Sequence, residues 1–408
     1  MTTSYQTDIA VVGAGMVGSA CAAMLAQQGH AVLLLDRQPA QAYQRQELPD
    51  LRVSAIAPGN QRMLQQLGAW PLIEAQRCTP YDVMEVTTGS GGQLRFVAGE
   101  HGLGELGWII ENGLLQSALA SVMPASVERV EGVAVSGLTQ RRRAVALQLD
   151  DGSSVSARLV VAADGARSAL RELCGLPLHS HDYAQQAVVA VLETELPNPG
   201  IAWQVHLPTG PLAMLPVGAG RSSLVWSLPS AMAAEQLKLS SDALAAALTL
   251  HSNGRFGKVR VVSAVAAFPL RLQLARQLVQ QRVVLVGDAA HQVHPMAGQG
   301  VNLGFQDVQE LITLLGQAQD QVGSGNVLAA AQSSERLQSM LASYERRRLS
   351  DNTIMARGID ALETMFRHQQ RLAALGITVV DRLLPLKSLF IRRACAVPVL
   401  PAKSSARH

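Results

Sequence analysis

The first forty residues alternate between apolar runs and breaks rich in glycine. Asp8–Val12 ends in an apolar run, Met16–Gln27 is rich in small and apolar side chains, and Ala31–Leu35 is apolar again. Three glycines follow the first run, and a polar break at residues 27–30 follows the second. Short apolar runs are typical of buried strands, and longer ones of helices. The pattern therefore predicts a strand, a tight turn, a helix and a second strand.

The same region can also be interpreted as a membrane-spanning helix. No Asp, Glu, Lys or Arg lies between Asp8 and Asp36, and a charge-free run of this length is long enough to cross a bilayer. Gly15 and Ser19 even have the spacing of a helix-dimerising face. However, the early cluster of glycines and the polar break interrupt such a helix, so we favour the strand–helix–strand unit.

Later apolar runs predict two more buried strands and an insertion rich in sheet. The buried strands are Leu159–Ala163 and Arg282–Val286. Shorter alternating runs bounded by Pro or Gly lie between them: Gln186–Leu192, Ala202–Leu207 and Ser222–Leu228. These runs predict a mixed sheet. Ala231–Leu250, rich in Ala, Leu and Ser, predicts one helix packed on that sheet.

Composition narrows the class of protein. A chain of 408 residues with 48% hydrophobic and 16% charged residues is long and apolar enough for two or more domains. Aromatic residues make up 4% and the net charge is +3, so no nucleic-acid surface is indicated. The four cysteines have no CxxC spacing, which argues against disulfides and zinc and suits a reducing cytoplasm. The N-terminus lacks the basic region of a secretory signal.

The glycine spacing has a chemical meaning in this context. In Gly13-x-Gly15-x-x-Gly18, the first glycine permits the turn, the second lets backbone approach a pyrophosphate, and the third lets the helix pack closely on the strand. The N-terminus of the helix supplies free N–H groups for phosphates. Asp36 ends the second strand, where its carboxylate can accept hydrogen bonds from a ribose. Together these features predict a dinucleotide site.

Two further segments place an aspartate and a glycine at the end of a strand. Asp164-Gly165 follows the first buried strand, and Gly287-Asp288 follows the second. Ligands of open α/β sheets bind at this edge. A second GxGxxG, a nucleophile elbow and a histidine cluster with metal-ligand spacing are all missing from the sequence, so a separate nicotinamide domain, hydrolase chemistry and a metal site are not predicted.

These three segments, in this order, resemble the GxGxxG, DG and GD fingerprints of the single-component flavoprotein aromatic hydroxylases, which have the p-hydroxybenzoate hydroxylase fold. Within that group, Leu51–Ile56, Glu111-Asn112 and Gly287–Gly304 are similar to the ubiquinone-biosynthesis hydroxylases of the UbiH, UbiF and UbiI (VisC) type. The resemblance extends from Asp8 to about Ile354. It implies an α/β fold: a discontinuous Rossmann-type FAD domain, similar to that of glutathione reductase, with an inserted mixed-sheet substrate domain and a C-terminal helical segment.

The resemblance also implies which residues bind FAD. Besides the glycines and Asp36, these are Arg52, Gln116, Asp164, Gly287, Asp288, Gly300, Val301 and Asn302. Pro295, Gly298, Gln299 and Gly300 are expected beside the isoalloxazine ring, with the N-terminus of the following helix facing the flavin and stabilising its reduced, anionic form. Simpler roles stay open for some of them. Asp288 could cap a helix, Pro295 could form a turn, and Arg52 and Arg171 of the DG segment could be surface charges.

The activity implied by the resemblance is hydroxylation of the aromatic ring of a polyprenyl phenol in ubiquinone biosynthesis, through a C4a-hydroperoxyflavin. FAD is the cofactor, O2 the co-substrate, and NAD(P)H or another donor binds transiently. Short segments such as Met84–Val86 and Val225–Leu228 favour the C5 hydroxylase (2-polyprenylphenol 6-hydroxylase). The alternatives are a UbiF-like hydroxylase of 2-polyprenyl-3-methyl-6-methoxy-1,4-benzoquinol, a flavin dehydrogenase or prenyl reductase, and a non-catalytic lipid-binding FAD subunit.

The predicted division of the chain follows the motifs. Residues 1–80, 105–180 and 270–345 are expected to form the FAD domain, residues 81–104 and 181–269 the substrate domain, and residues 346–408 a basic helical segment. From Arg371 to the end, seven basic residues and one acid give a charge of +6. This segment either contacts an anionic membrane surface or forms a helical cap with a solvated basic face. We expect a cytoplasmic homo-oligomer, peripheral at the inner face of the membrane, that assembles with other ubiquinone-biosynthesis proteins.

Overall fold

The computed structural model describes residues 3–294, 300–320, 328, 333–368, 370–383, 387 and 391. Its helices are α1 (Met16–Gln27), α2 (Pro58–Gln66), α3 (Ala69–Glu74), α4 (Asn112–Ser121), α5 (Ala169–Leu173), α6 (Ser230–Gln236), α7 (Ser241–His251), α8 (Gly300–Asp320), α9 (Ser333–His368) and α10 (Gln370–Arg382), with 3-10 turns at Ala98–His101 and Gly287–Ala289. In the described part of the chain, none of these helices is both long and apolar enough to cross a membrane.

Twenty strands form three sheets among the described residues. They are β1 (Ser4–Val12), β2 (Val32–Asp36), β3 (Val53–Ile56), β4 (Cys78–Tyr81), β5 (Val83–Thr88), β6 (Gln93–Val97), β7 (Gly107–Glu111), β8 (Val127–Glu131), β9 (Val135–Gln140), β10 (Val145–Leu149), β11 (Ser154–Ala162), β12 (Leu178–Thr194), β13 (Ile201–Leu207), β14 (Gly210–Pro216), β15 (Arg221–Pro229), β16 (Val259–Val261), β17 (Ala266–Ala275), β18 (Val279–Gln280), β19 (Val283–Leu285) and β20 (His291–Gln292).

The first sheet has the strand order β18-β19-β11-β1-β2-β8, and β9 and β10 extend it from β11. Strands β19, β11, β1, β2 and β8 run parallel. The carboxyl ends of β1, β2, β11 and β19 therefore lie at one edge, which brings the three motifs together. Apolar side chains of α1 and α8 cover the strands and form the largest core. The membrane-span interpretation of residues 8–36 is wrong, because this segment forms β1, α1 and β2 of the core.

The second sheet has nine strands in the described chain, with the order β20-β17-β12-β15-β14-β13-β5-β6 and β16 beside β12. It is mixed, because β13 pairs with β5 in parallel and the other pairs are antiparallel. A third, small sheet has the strand order β3-β7-β4. The α/β class with a mixed second sheet agrees with the sequence prediction.

One predicted helix is wrong in its length. The segment Ala231–Leu250 forms two helices, α6 and α7, separated at residues 237–240. Ser240 has an extended backbone and its hydroxyl accepts a hydrogen bond from the N–H of Ala243 at 3.2 Å. This bond caps the N-terminus of α7 and fixes its start at Ser241.

The predicted domain boundaries at residues 180, 269 and 345 fall inside β12, β17 and α9, which continue across them. The division into domains stays a prediction. Helix α10 packs beside β6, where Asp381 accepts a hydrogen bond from the N–H of Arg95 at 3.0 Å. Lys387 is buried and its Nζ lies 2.9 Å from the Asp381 carboxylate. This lysine of the basic tail is therefore paired inside the protein and does not belong to a solvated basic face.

Candidate functional site

The glycine turn after β1 leaves space for side chains at only one of its three glycines. Gly13 has φ +105°, and a Cβ there would lie 2.2 Å from the carbonyl oxygen of Ala163. A Cβ on Gly18 would lie 1.8 Å from the carbonyl oxygen of Gly13. No atom lies within 4 Å of a Cβ built on Gly15, which forms the N-cap of α1 without a side-chain cap. The turn therefore presents open backbone at Gly15 to a ligand.

Asp36 and Gln116 come together at Ala14 of this turn. The Asp36 carboxylate accepts hydrogen bonds from the N–H of Ala14 and, at 2.7 Å, from the N–H of Gln38. The side-chain amide of Gln116, on α4, donates to the carbonyl oxygen of Ala14 at 3.3 Å. Both side chains thus flank the N-terminus of α1, where a dinucleotide would carry its ribose and pyrophosphate.

The DG segment follows β11 beside this turn. Asp164 accepts a hydrogen bond from the N–H of Leu170 at 3.2 Å through Oδ2, whereas its buried Oδ1 has no hydrogen-bond partner within the described chain. Arg171 is 4% exposed and donates to the carbonyl oxygens of Ala166 and Ala289, each at 2.9 Å. The surface alternative for Arg171 is wrong, because this arginine joins the DG segment to the GD segment.

The GD segment forms the 3-10 turn Gly287–Ala289 after β19. Asp288 lies inside that turn, whose N-cap residue is Val286, so the helix-cap alternative is wrong. Its side chain is exposed to solvent. Partial burial raises its pKa, while His291 and Arg52 lower it. An exposed carboxylate at a strand end remains available to accept hydrogen bonds from a ligand.

Arg52 precedes β3, and its side chain is exposed. The guanidinium Cζ lies 5.6 Å from the ring centroid of Phe268 on β17. Because Arg52 also acts electrostatically on Asp288, the structure brings these two predicted residues to the same region.

A buried carboxylate that the sequence analysis missed holds the GD segment in place. Asp307 of α8 accepts hydrogen bonds from the N–H of Gly287 at 2.9 Å, from His291 Nε2 at 2.6 Å and from Arg348 Nε at 2.6 Å. Burial alone would raise the pKa of Asp307, but the contacts with His291 and Arg348 hold it at about 2. Gly304, one turn earlier, packs against Val17 and Gly287, which lets α8 approach α1 closely. In the sequence, an acidic residue at position 307 on an otherwise apolar face of the helix was the signal that could have revealed this role.

The start of α8 contains three predicted residues. Gly300 begins the helix, and Val301 packs against a cluster of α1, α2 and α4 side chains. Asn302 is buried; its amide oxygen accepts from the N–H of Ala57 at 3.0 Å and its amide nitrogen donates to the carbonyl oxygen of Ala55 at 2.7 Å. Pro295, Gly298 and Gln299 lie outside the described residues, so their expected position beside the isoalloxazine stays a prediction.

A cavity of about 500 Å³ opens between the second sheet, the small sheet and the C-terminal helices. Its walls are mostly apolar, and Asn302 belongs to its lining. Apolar side chains that line it come from β3, β4, β5, β6, β7, β13, β14, β15, α9 and α10, among them Val53, Ala55, Tyr81, Met84, Val86, Leu94, Phe96, Ile109, Ala202, Ala213, Leu215, Val225, Ile359, Leu362, Met365, Phe366, Ile377 and Val380. A cavity with mostly apolar walls next to α8 suits an apolar aromatic substrate.

The residues present fit a bound dinucleotide. Gly15 gives open backbone at a helix N-terminus, and Asp164 keeps one buried carboxylate oxygen without a partner in the described chain. Asp36, Asp164 and Asp288 each follow or end a strand at the same sheet edge. Together they offer N–H donors for phosphates and carboxylate acceptors for ribose and ribityl hydroxyls. Within the same described ranges, no group of three or more His, Cys, Asp or Glu side chains is arranged to hold a metal ion.

Comparison with known proteins decides between the flavin and nicotinamide forms of such a site. Residues 6–350 match the FAD binding domain family. The chain is 35% identical over 399 residues to the 3-demethoxyubiquinol 3-hydroxylase of Escherichia coli K12, covering 96% of this chain and 99% of that protein. It is 36% identical over 394 residues to the ubiquinone hydroxylase UbiL of Rhodospirillum rubrum, covering 95% and 89%. The chain belongs to the FAD-dependent ubiquinone-biosynthesis hydroxylases.

Solved structures show the same fold for this hydroxylase. Pseudomonas aeruginosa PqsL in complex with 2-aminobenzoylacetate matches with a TM-score of 0.75 at 23% identity, covering 91% of this chain and 99% of that chain. The p-nitrophenol 4-monooxygenase PnpA of Pseudomonas putida DLL-E4 matches with a TM-score of 0.74 at 18% identity, covering 98% and 100%. Both are similar in fold, and the p-hydroxybenzoate hydroxylase fold predicted from the sequence is confirmed.

This hydroxylase is an FAD-dependent aromatic monooxygenase, as its sequence predicts. When bound and reduced, FAD would supply the chemistry that activates O2 for transfer of one oxygen atom to an electron-rich ring. For this chemistry the chain's own residues would have to bind the cofactor at the strand ends, hold the ring close to it and keep water away. Gln116, Arg52, Asp164 and Asp288 are placed where they could contact FAD, and these contacts stay predictions.

Proposed function

We propose that this hydroxylase acts on the ring of a polyprenylated quinol of the 3-demethoxyubiquinol type. The observation that carries the proposal is the 35% identity to the Escherichia coli 3-demethoxyubiquinol 3-hydroxylase over 99% of that protein. The cavity supports it, because its lining combines many aliphatic and few polar side chains. A cavity of about 500 Å³ lies within the usual range for small-molecule sites, and it suits an aromatic head group with the first part of its prenyl chain.

Hydroxylation at C5 of a 2-polyprenylphenol is the second candidate. The segments that favour it in the sequence, around Met84–Val86 and Val225–Leu228, contribute Met84, Val86 and Val225 to the cavity wall. Differences there would change how a ring sits against the cofactor, so the choice between ring positions depends on these side chains. A prenyl reductase or a non-catalytic FAD subunit would make no use of O2 and would leave the ring without new oxygen.

The test is oxygen incorporation by the purified holoenzyme. The protein is given NADPH and ¹⁸O2 with either a short-chain demethoxyubiquinol or a short-chain 2-prenylphenol, and product mass and ring position are determined. One labelled oxygen in the demethoxyubiquinol ring supports the first candidate, and labelled product from the prenylphenol alone supports the second. Reduction of FAD without label in either ring would contradict both.

A matched pair of variants ties the activity to the cavity. Ala213 lines the cavity, whereas Ala246 is exposed on α7. Ala213→Phe fills the space that the ring would occupy, so product formation should fall while bound FAD stays. Ala246→Phe makes the same change outside the cavity and should leave product formation unchanged. Equal activity of both variants would show that the substrate binds elsewhere.

We also propose that α10 contacts an anionic membrane surface, from which an insoluble polyprenyl substrate enters. Ile377 and Val380 of this helix line the cavity, while Leu375, Val379 and the adjacent Leu383 are exposed. The three exposed residues are spaced four apart and share one helical face. The chain from Arg371 onward carries a charge of +6, which complements anionic lipid.

A further inference from the structure

Two polar side chains on β13 stand out inside the apolar cavity. Gln204 and His206 are two residues apart on the strand, so both point to the same face of the sheet, and both line the cavity. Their neighbours across this face are mostly apolar. Ala213 pairs with Gln204 and Pro211 pairs with His206 on β14.

The two side chains form a fixed pair. Gln204 Nε2 and His206 Nε2 are 2.7 Å apart. The imidazole stacks on the ring of Phe366 from α9, with centroids 3.7 Å apart and an angle of 19° between the planes. His206 is 3% exposed, and burial, helped by His294, lowers its pKa to about 3. The ring is therefore neutral at physiological pH and held in one orientation from both sides.

A neutral imidazole in this pair leaves one donor and one acceptor for a ligand. If the Gln204 amide nitrogen donates to Nε2, the histidine proton is on Nδ1, and Gln204 Oε1 is a vacant acceptor. If the amide is turned over, Nδ1 becomes the acceptor and the amide nitrogen the donor. In the described chain, neither His206 Nδ1 nor the second polar atom of the Gln204 amide takes part in another hydrogen bond. A substrate that fills the cavity would exclude water from these two atoms, and burying them without partners would be unfavourable.

We infer that Gln204 and His206 together hold one ring hydroxyl of the quinol or phenol substrate, a step that rests on the proposed function. A hydroxyl donates one hydrogen bond and accepts another, so it satisfies both open atoms of the pair. A methyl ether or a quinone carbonyl can only accept. The pair therefore selects the reduced, hydroxylated ring over its oxidised or methylated forms. His294 acts electrostatically on His206, so the pair lies near the segment that follows β20.

Two isosteric variants test the pair. His206→Phe keeps a ring that can stack on Phe366 but removes both nitrogens, and Gln204→Met keeps the side-chain length without the amide. His179→Phe is the control, because His179 is exposed on β12 outside the cavity. FAD content and thermal unfolding check that each variant is folded. The probes are a short-chain demethoxyubiquinol and its two mono-O-methyl ethers, and binding is measured anaerobically by equilibrium dialysis.

The wild type should bind the free quinol more tightly than one methyl ether by about 10- to 100-fold, the effect of losing one or two buried hydrogen bonds. His206→Phe and Gln204→Met should each weaken quinol binding and abolish this discrimination, while His179→Phe retains it. If the wild type incorporates ¹⁸O and either folded variant still discriminates fully between the quinol and its ether, the inference is overturned and the proposed function stands. Failure of the wild type to bind or hydroxylate any of the rings would overturn the proposed function and the inference with it.

Discussion

The carboxylate of Asp307 and the guanidinium of Arg348 form an ion pair inside the protein, with 2.6 Å between Oδ1 and Nε. Asp307 also binds the backbone N–H of Gly287 in the predicted FAD-binding turn. Arg348 belongs to α9, which lines the cavity through Ile359 and Phe366. The pair thus links the cofactor segment to the wall of the substrate cavity through one buried carboxylate.

Removing this carboxylate should be severely destabilising. Asp307→Asn removes the buried counterion of Arg348, so the free energy of unfolding should fall by about 3–5 kcal/mol in urea denaturation of the apoprotein. Asp351→Asn is the control, because Asp351 contacts Arg348 Nη1 at 3.3 Å but is 52% exposed. That variant should lose less than about 1 kcal/mol. Similar losses of unfolding free energy in the two variants would show that the buried pair with Asp307 contributes no more to stability than the exposed contact with Asp351.

The link was not predictable from sequence pattern. Arg348 ends a run of three arginines at 346–348, and only side-chain packing shows that it points inward. Asp307 and Arg348 are 41 residues apart, and periodicity does not reveal which buried charges meet. Helix α1, in contrast, has the predicted bounds, because the glycine turn sets its start and the Gln28-Gly29 break its end. The split of Ala231–Leu250 was signalled by Ser240-Ser241-Asp242, a typical N-cap sequence.

Two variants of the glycine turn should separate an effect on folding from an effect on FAD binding. Gly18→Ala places a Cβ 1.8 Å from the Gly13 carbonyl oxygen, so it should lower the melting temperature of the apoprotein and also impair FAD binding. Gly15→Ala meets no atom within 4 Å, so the apoprotein should melt as the wild type does, while FAD binding weakens. Calorimetry of the apoprotein and FAD titration measure the two effects. Normal FAD affinity in folded Gly15→Ala would contradict a close approach of the pyrophosphate to this backbone.

Asp288 should matter for the cofactor and not for the fold. Its side chain is exposed and Val286, not Asp288, is the N-cap residue of the turn, so Asp288→Ala should unfold as the wild type does. Loss of a carboxylate that accepts hydrogen bonds from FAD should lower the flavin content of the purified protein. Asp320→Ala, at the exposed end of α8, provides the control and should keep its flavin. Full flavin retention by Asp288→Ala would count against the predicted contact.

Acidification should reveal the buried histidines. Burial lowers the pKa of His206 to about 3 and that of His294 to about 4, from an ordinary value of 6.5. The unfolded chain therefore binds protons first as the pH falls. This contribution to stability is complete above pH 6.5 and is lost between 6.5 and about 3, with a slope approaching about 1.4 kcal/mol per pH unit for each histidine. Urea denaturation at several pH values should show a shallower slope for His206→Phe than for the exposed-site variant His179→Phe; identical slopes would argue against a buried neutral His206.

The cavity as a whole depends on long-range packing, which explains why its polar pair escaped the sequence analysis. Gln204 and His206 lie in the predicted strand Ala202–Leu207. The alternating pattern of that strand does not predict that α9 and α10 cover one of its faces. Phe366, which fixes the His206 ring, lies 160 residues further along the chain. Motifs at strand ends can be predicted because parallel strands bring them to one edge. A cavity assembled from strands and helices that are far apart in the sequence cannot be predicted in this way.

The exposed face of α10 leads to a prediction about membranes. Leu375, Val379 and Leu383 are 65%, 54% and 44% exposed, although α10 also contributes to the cavity wall. The wild type should float with vesicles that contain anionic lipid, and Leu375→Ser/Val379→Ser should remain unbound, because it loses the apolar contact while the basic charges stay. Leu250→Ser removes a more exposed leucine, 76% exposed on α7, and should float as the wild type does. If the double variant floats to the same extent as the wild type, this face is excluded as the membrane contact, because the basic charges alone would then be sufficient for binding.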